Sequence, residues 1–355
     1  MPLSYAIIGT GAIGGYYGAR LQQAGAQVHF LLRSDYEQVR DRGIKIDSTD
    51  GDFTLPKVNA YLNAEDIPPV DVVVVALKTT QNHLLKNLLP KIKSNGAILS
   101  LQNGLGVEAD IVQQIEATSS QSTSSRSTSP QSTDVQTTAS QTTILGGLCF
   151  ICSNKVGPGH IRHLDYGKVL LGAHQRQHQR CPPTPLMQRI AADFTRAKIA
   201  IDMTDDLPMA RWRKLVWNVP YNGLSVVLNA TTEEMMAHQE VRQLITVLMQ
   251  EVVMLANAWG KSVSPSSVSP SSVSPNSERT LPPEVINQML TQTEQMSPYR
   301  TSMKIDYDEG RSLELNAILG NPLQVADRLN IQVPAIRMLY QQLAFLNDRN
   351  ILLPK

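Results

Sequence analysis

Cysteine is scarce in this chain, with 3 in 355 residues. That is too few for a disulfide framework and points to a reducing compartment. Charge of one sign is also missing: 32 basic residues face 31 acidic ones, a net charge of +1. Nothing at whole-chain level therefore argues for nucleic acid or an anionic membrane surface as partner. Long apolar runs are absent too. The longest is Val72–Leu77, far short of the roughly 18 residues a membrane span needs. The first residues, MPLSYAIIGTGAIGG, lack a basic n-region and a small-residue cleavage site. They read as the first strand of a cytoplasmic protein.

What is present is foldable text, 42% hydrophobic and 18% charged, interrupted by two tracts of another kind. Residues 118–143 are almost entirely Ser, Thr and Gln, and residues 262–277 repeat SVSPS from Ser262, Ser267 and Ser272. The first cannot bury enough apolar surface to offset the entropy of ordering, and the second carries a proline every five residues and so cannot be helix or central strand. The first is expected to be a disordered loop and the second an extended insertion between helices. Before residue 204, β-rich runs alternate with helical patterns. Tyr5–Ile8, Val28–Leu32, Val72–Leu77 and Ala97–Leu101 read as strands, with helices at Ile13–Ala24 and Asn82–Ile92. Such runs predict a parallel sheet covered on both faces. Ile144–Cys152, His160–Leu164, Lys168–Leu171 and Lys198–Met203 continue the β signal, with a helix at Pro185–Phe194. From residue 205 onward only helical patterns occur, at Pro208–Leu228, Glu233–Trp259, Pro283–Thr293, Leu315–Arg328 and Ala335–Leu346. The expected fold class is therefore α/β: a Rossmann-type domain over 1–204 followed by an all-α domain over 205–355.

The strongest local signal is Gly9-Thr10-Gly11-Ala12-Ile13-Gly14, placed after a strand and opening a helix. One glycine permits a tight turn, one lets the backbone approach a pyrophosphate, and one allows close helix packing. The end of the second strand normally selects the dinucleotide. Here it reads Leu32-Arg33-Ser34, and a guanidinium fork suits a phosphate, so NADP is favoured over NAD. Asp35, next along, argues the other way. A solvated surface arginine is the bland alternative. Lys78 and Asn103 follow the third and fourth strands, on the edge where open α/β sheets bind ligands. Each also reads as an ordinary feature, a capping lysine and an Asn-Gly turn.

In the helical half, Lys214, Asn218 and Asn222 are spaced i, i+4, i+8 on an otherwise apolar helix. A cation beside two amides is what a 2-oxo acid requires, although buried amides are sometimes only satisfied core groups. Pro220 is expected to kink that helix locally. Ser302 reads as a cap or a binding hydroxyl, and Glu314 as a helix-start acid. Cys149-x2-Cys152 with His160-x2-His163 has zinc-like spacing. The cysteines fall in a strand pattern and the histidines in a hairpin, so no metal is expected.

In their order and spacing, Gly9–Gly14, Arg33, Leu77-Lys78, Gln102-Asn103-Gly104, Trp212-Arg-Lys214 with Asn218 and Asn222, and Ser302 with Glu314 resemble the ketopantoate reductase family. The resemblance runs from Tyr5 to about Leu346 outside the two tracts. It implies a Rossmann-type domain joined to an all-α domain, with the active site in the cleft between them. The implied reaction is NADPH-dependent reduction of 2-dehydropantoate to pantoate, toward pantothenate and coenzyme A. By that resemblance Lys214 donates the proton, and Asn218, Asn222 and Ser302 bind substrate. Glu314 touches the cofactor ribose and the lysine, while Lys78 and Asn103 bind NADP. A further substrate-binding asparagine of the family has Thr232 at its place here, with Asn229 nearby but out of register. The alternatives are an NADP-dependent reductase of another branched 2-oxo acid and an NADP-binding redox sensor without turnover. The sequence leaves the oligomeric state open, a homodimer included.

Overall fold

The computed structural model describes residues 1–89, 92, 94–123, 142–264 and 279–352. Two compact units emerge. The first comprises Met1–Gln102 and Val107–Leu207, the second Asn103–Gly106 and Pro208–Lys355.

The first unit runs β1 (Ser4–Ile8), α1 (Ala12–Gln23), β2 (Gln27–Leu31), α2 (Tyr36–Arg42), β3 (Ile44–Ser48), β4 (Phe53–Leu55), β5 (Asn59–Tyr61), β6 (Val70–Val75), α3 (Leu85–Leu88), β7 (Ser94–Ser100), α4 (Val107–Thr123), β8 (Thr143–Gly157), β9 (His160–Ala173), α5 (Pro185–Arg196) and β10 (Ile201–Thr204). Among the described residues these strands form one sheet in the order β4-β3-β9-β8-β7-β6-β1-β2-β5, with β10 beside β9. Strand β6 shows why the sheet is covered twice. Val72 and Val74 join Tyr5, Ile7, Val28 and Phe30 in one core, while Val73 and Val75 join Ala6, Ile8 and Leu31 in the other. Period-two alternation sends successive valines to opposite faces, and both faces are apolar.

The sheet is not wholly parallel. β8 pairs antiparallel with β9, and β3 with β4. The two short strands expected after Gly159 are one long β9 with shifts in its register, and Tyr166 takes a positive φ of 61° beside one of them. The expected helix at Asn82–Ile92 is a 3-10 segment over Thr79–Leu84 followed by the short α3. Helix α4 continues through Thr123, so residues 118–123 are helical rather than looped. The next part of that tract, 124–141, lies outside the described residues, and β8 begins at Thr143.

The second unit holds α6 (Leu207–Val227), α7 (Thr232–Ala237), α8 (Gln239–Ser262), α9 (Glu284–Glu294), α10 (Ser302–Asp308), a π-helical turn over Asn316–Gly320, α11 (Asn321–Leu329) and α12 (Pro334–Leu352). Its core gathers Trp212, Leu215, Val216 and Val219 of α6 with Leu248, Val252 and Leu255 of α8 and Ile336, Leu339 and Leu343 of α12. Pro220 sits inside α6 without ending it. The single helix expected over Glu233–Trp259 is two, because His238 is extended (φ −99°, ψ 118°). A capping box fixes the first of them: Thr231 accepts from the Glu234 N–H, and Glu234 accepts from the Thr231 N–H. Glu251 of α8 is buried and accepts from the Ala335 and Ile336 N–H groups at 3.0 and 2.8 Å. It thereby satisfies the first turn of α12, whose opening Pro334 has no N–H to offer. Ser262 of the serine-proline repeat is the last residue of α8, while 265–277 lie outside the described residues. No described helix is long and apolar enough to cross a membrane.

Candidate active site

The glycine loop joins β1 to α1. Gly9 has φ +98°, and a Cβ there would lie 2.6 Å from the Leu77 nitrogen. Gly14 allows α1 to press onto β1, since its Cβ would fall 2.3 Å from the Gly9 oxygen and 2.9 Å from Ile7. Around Gly11 the situation reverses. Nothing lies within 4 Å of where its Cβ would be, so two glycines fill tight space while the middle one borders open space. Gly11 is also the N-cap of α1, with no side chain capping it and no acid in the first turn. The N–H groups of that turn and the positive end of the helix dipole suit an anion. Thr10 is committed to the fold: its hydroxyl donates to the Leu31 carbonyl at 3.1 Å, tying the loop to the end of β2. Ala12 and Ile13 open the helix itself.

At the end of β2, Arg33 is exposed and makes no ion pair among the described residues. Its neighbour Asp35 is buried and engaged. Lys155 contacts both carboxylate oxygens at 2.7 Å, the Gly159 N–H donates at 3.0 Å, and the Ser34 hydroxyl donates at 3.1 Å. Burial pushes this carboxyl upward, but the bonds from Lys155, Gly159 and Ser34 outweigh it and hold it below the usual range. The acid that argued for NAD in the sequence is thus occupied within the protein. The open N-terminus of α1 and the free guanidinium of Arg33 fit a phosphorylated dinucleotide.

Lys78 is half-buried, follows β6 and opens the 3-10 segment as its N-cap residue. Gln102 fixes that strand end. Its amide donates to the Leu77 carbonyl at 2.9 Å and to Asn82 Oδ1 at 2.6 Å, and Asn82 in turn donates to Asp110 at 2.6 Å. This buried relay was not visible in the sequence, because Asn82 and Asp110 carry no local pattern that marks them as partners of Gln102.

The second unit assembles the polar stripe. Lys214, Asn218 and Asn222 are all buried on α6. Lys214 Nζ donates to Asn103 Oδ1 at 2.7 Å, so the Asn103–Gly106 segment supplies a group to the stripe. That segment is held in place at three points. Gly104 has φ +100°, and a Cβ there would lie 2.5 Å from the Ala317 oxygen. The Leu105 N–H donates to that oxygen at 2.8 Å, and Asn321 donates to the Leu105 carbonyl at 2.6 Å. Asn222 Oδ1 is buried with no hydrogen-bond partner. A buried orphan acceptor costs about 1–3 kcal/mol and is uncommon without a purpose. Glu314 is buried just before the π-helical turn.

Of the hydroxyl candidates, Thr301 and not Ser302 caps α10, accepting from the Lys304 N–H at 3.2 Å. Ser302 is the first residue of that helix and half-buried, and no hydrogen bond from its hydroxyl reaches a described residue. Thr232 is taken up by the fold, with its hydroxyl against the Tyr299 backbone and its N–H donating to the Tyr299 carbonyl at 3.2 Å. Asn229 is exposed just past the end of α6 with φ +52°, a helix-ending conformation.

The cysteine and histidine spacing does not gather into a metal centre among the described residues. His163 is bonded to the Ser48 hydroxyl at 2.8 Å and to the Tyr166 carbonyl at 2.9 Å, and His160 contacts Asp47 at 2.7 Å. Cys149 and Cys152 are buried and outside any disulfide, and burial pushes the Cys152 thiol up to about 12.

Comparison with known proteins matches the description Ketopantoate reductase PanE/ApbA over residues 5–176, and Ketopantoate reductase PanE/ApbA C terminal over 206–347. A 2-dehydropantoate 2-reductase of a Nostoc species is 50% identical over 347 residues, covering 98% of this chain and 96% of that protein. The crystal structure of a 2-dehydropantoate 2-reductase from Geobacter metallireducens superposes with a TM-score of 0.80 at 37% identity, covering 97% of this chain and 99% of that one. A D-mandelate dehydrogenase solved with NADH and anilino(oxo)acetate shares the fold at a TM-score of 0.78 and 18% identity, covering 98% of this chain and 99% of that one. With both halves matched in order and half of all residues shared with a full-length relative, the chain belongs to the ketopantoate reductase family of oxidoreductases.

Proposed function

We propose that this protein reduces 2-dehydropantoate to pantoate with NADPH, in the route to pantothenate, and that Lys214 is its proton donor. The observation that carries the assignment is the buried ammonium of Lys214 held by Asn103 at 2.7 Å on a helix that also presents Asn218 and Asn222. Reduction of a 2-oxo acid builds negative charge on the carbonyl oxygen. A positioned ammonium stabilises that charge and delivers the proton that completes the alcohol. NADPH supplies the hydride when bound. On the first unit, the Gly9–Gly14 loop receives its pyrophosphate, Arg33 its 2′-phosphate, and Lys78 a further phosphate or ribose contact. On the second, Asn218, Asn222 and Ser302 orient the substrate. Asn103 and Glu314 add the coenzyme contacts that the family resemblance implies. The orphan oxygen of Asn222 is an acceptor suited to a substrate hydroxyl. A protein that only sensed coenzyme would have no use for that acceptor.

The cytoplasm is the proposed location, in keeping with three cysteines outside any disulfide. A homodimer is the proposed assembly, the state named for the ketopantoate reductase of Staphylococcus aureus, which shares the fold at 19% identity. The test of function is NADPH consumption by the full chain against a panel of 2-oxo acids. The assignment expects 2-dehydropantoate to give the highest kcat/KM. A different branched 2-oxo acid ahead of it, or no turnover with any, would overturn it.

A further inference from the structure

Asp35 and Lys155 do no chemistry in the reaction, yet their placement bears on which coenzyme is accepted. Asp35 lies two residues past Arg33, in the turn where the Tyr36 N–H donates to the Arg33 carbonyl at 3.2 Å. An acid at the end of this strand is the group that usually binds a ribose diol, and it also repels a 2′-phosphate. Here the carboxylate is engaged by groups from the far end of the β8–β9 hairpin: Lys155 near the end of β8, at 2.7 Å, and the N–H of Gly159 in the turn, at 3.0 Å. Gly159 itself has φ +63°, and a Cβ there would lie 2.9 Å from Val39 of α2. The hairpin tip and the α2 turn are therefore packed closely enough to hold this bond in one place. Because burial alone would raise the Asp35 carboxyl and its three donors bring it back below the usual range, the group stays ionised at neutral pH. Its charge must be answered, and Lys155 answers it.

We infer that Lys155 is a specificity-determining residue: by pairing with Asp35 it keeps a carboxylate from opposing Arg33, and so selects the 2′-phosphorylated dinucleotide. The inference rests on the NADPH reading given above. It deepens that reading by naming a residue 122 positions from Arg33 in sequence that acts only through Asp35.

The experiment measures binding of adenosine 2′,5′-bisphosphate and of adenosine 5′-monophosphate by calorimetry, using the full chain, Lys155→Met, Asp35→Asn and the double variant. Lys155→Met is expected to weaken the bisphosphate by about tenfold, the scale of one like-charge contact near a surface, and to leave the monophosphate unchanged. Asp35→Asn, which keeps an oxygen for the Gly159 N–H, is expected to retain the full preference, and adding it to Lys155→Met is expected to restore what that variant loses. A purely structural salt bridge would weaken both nucleotides together and would not be rescued by removing the acid. A wild-type protein that prefers the bisphosphate and a folded Lys155→Met that prefers it equally would overturn this inference alone. A wild-type protein that binds both nucleotides alike would remove the NADPH reading and the inference with it. Should Lys155→Met fail to fold, Lys155→Gln with the double variant gives the same comparison.

Discussion

The sheet unit and the helical unit advertise function in opposite ways. In the sheet unit the informative feature is missing matter: Gly11 has no side chain and borders empty space, and the first turn of α1 has no cap. In the helical unit it is surplus polarity, a lysine and two asparagines buried among Trp212, Leu215, Val216 and Val219. A backbone site tolerates little change in its glycines but draws affinity from many small donors. A side-chain site concentrates its chemistry in one or two groups, so single substitutions there should be more damaging to rate and less damaging to fold.

The sharpest test of that contrast is Lys214→Ala. Loss of a positioned general acid costs on the order of 10²–10⁴ in rate, so kcat should collapse while NADPH titrated by fluorescence binds nearly as before. A folded variant keeping more than about a tenth of its kcat would remove Lys214 as proton donor. On the sheet side, Arg33→Ala should act on affinity instead. A charge-assisted bond contributes about 1.5–3 kcal/mol, or roughly 10- to 150-fold, and the NADPH over NADH ratio of kcat/KM should fall by that amount with kcat for NADPH little changed. Equal use of both coenzymes by the unmodified protein would contradict it.

Asn222→Ala separates binding from stability. Because its Oδ1 is orphaned in the protein alone, removing it forfeits no internal bond of that oxygen. Thermal melting should show an unchanged or slightly higher Tm, and the KM for the 2-oxo acid should rise by roughly tenfold or more. A Tm drop of several degrees would mean that the amide is a core group after all. The smallest effect concerns pH. Burial holds the His29 imidazole below its ordinary range, and burial does the same for His174, partly opposed by Glu108. As pH falls below about 6.5 the unfolded chain takes up these protons before the folded one does, so stability is lost below that point and is flat above it. His29→Asn should make the fall of Tm at mildly acidic pH shallower than in the unmodified protein.

The sheet unit was the more legible half in its central strands and the less legible at its margins. Tyr5–Ile8 and Val72–Val75 are apolar on both faces and can be little else. The missed strands β3, β4 and β5 are only three to five residues long and mix buried apolar residues such as Ile44 and Ile46 with exposed ones, so none gives a run long enough to stand out. Helix α4 was hidden by its own composition. Val107, Ile111 and Ile115 keep helical spacing, but the Ser and Thr that follow suppress the signal. In the helical unit the Lys214 stripe was readable by spacing alone. Its contact with Asn103, 111 residues distant, was not, since nothing local couples them. Ser302 reads as a cap in the sequence, but the extended backbone of its neighbour Thr301 (φ −61°, ψ 158°) gives that role to Thr301. Likewise Asp35 looked like a coenzyme ligand until Lys155, far along the chain, was seen to hold it.

The π-helical turn at Asn316–Gly320 has a consequence for how this protein tolerates insertion and deletion. It inserts one residue per turn between Glu314 and α11. It also leaves the Ala317 carbonyl to the Leu105 N–H, and it precedes Pro322, which has no N–H for the helix ladder. Removing one residue from this stretch would let an ordinary α-helix form. Because the wider turn absorbs its extra residue locally, the segments on either side would keep nearly the same phase, and what the deletion would take away is the freed Ala317 carbonyl that holds Leu105.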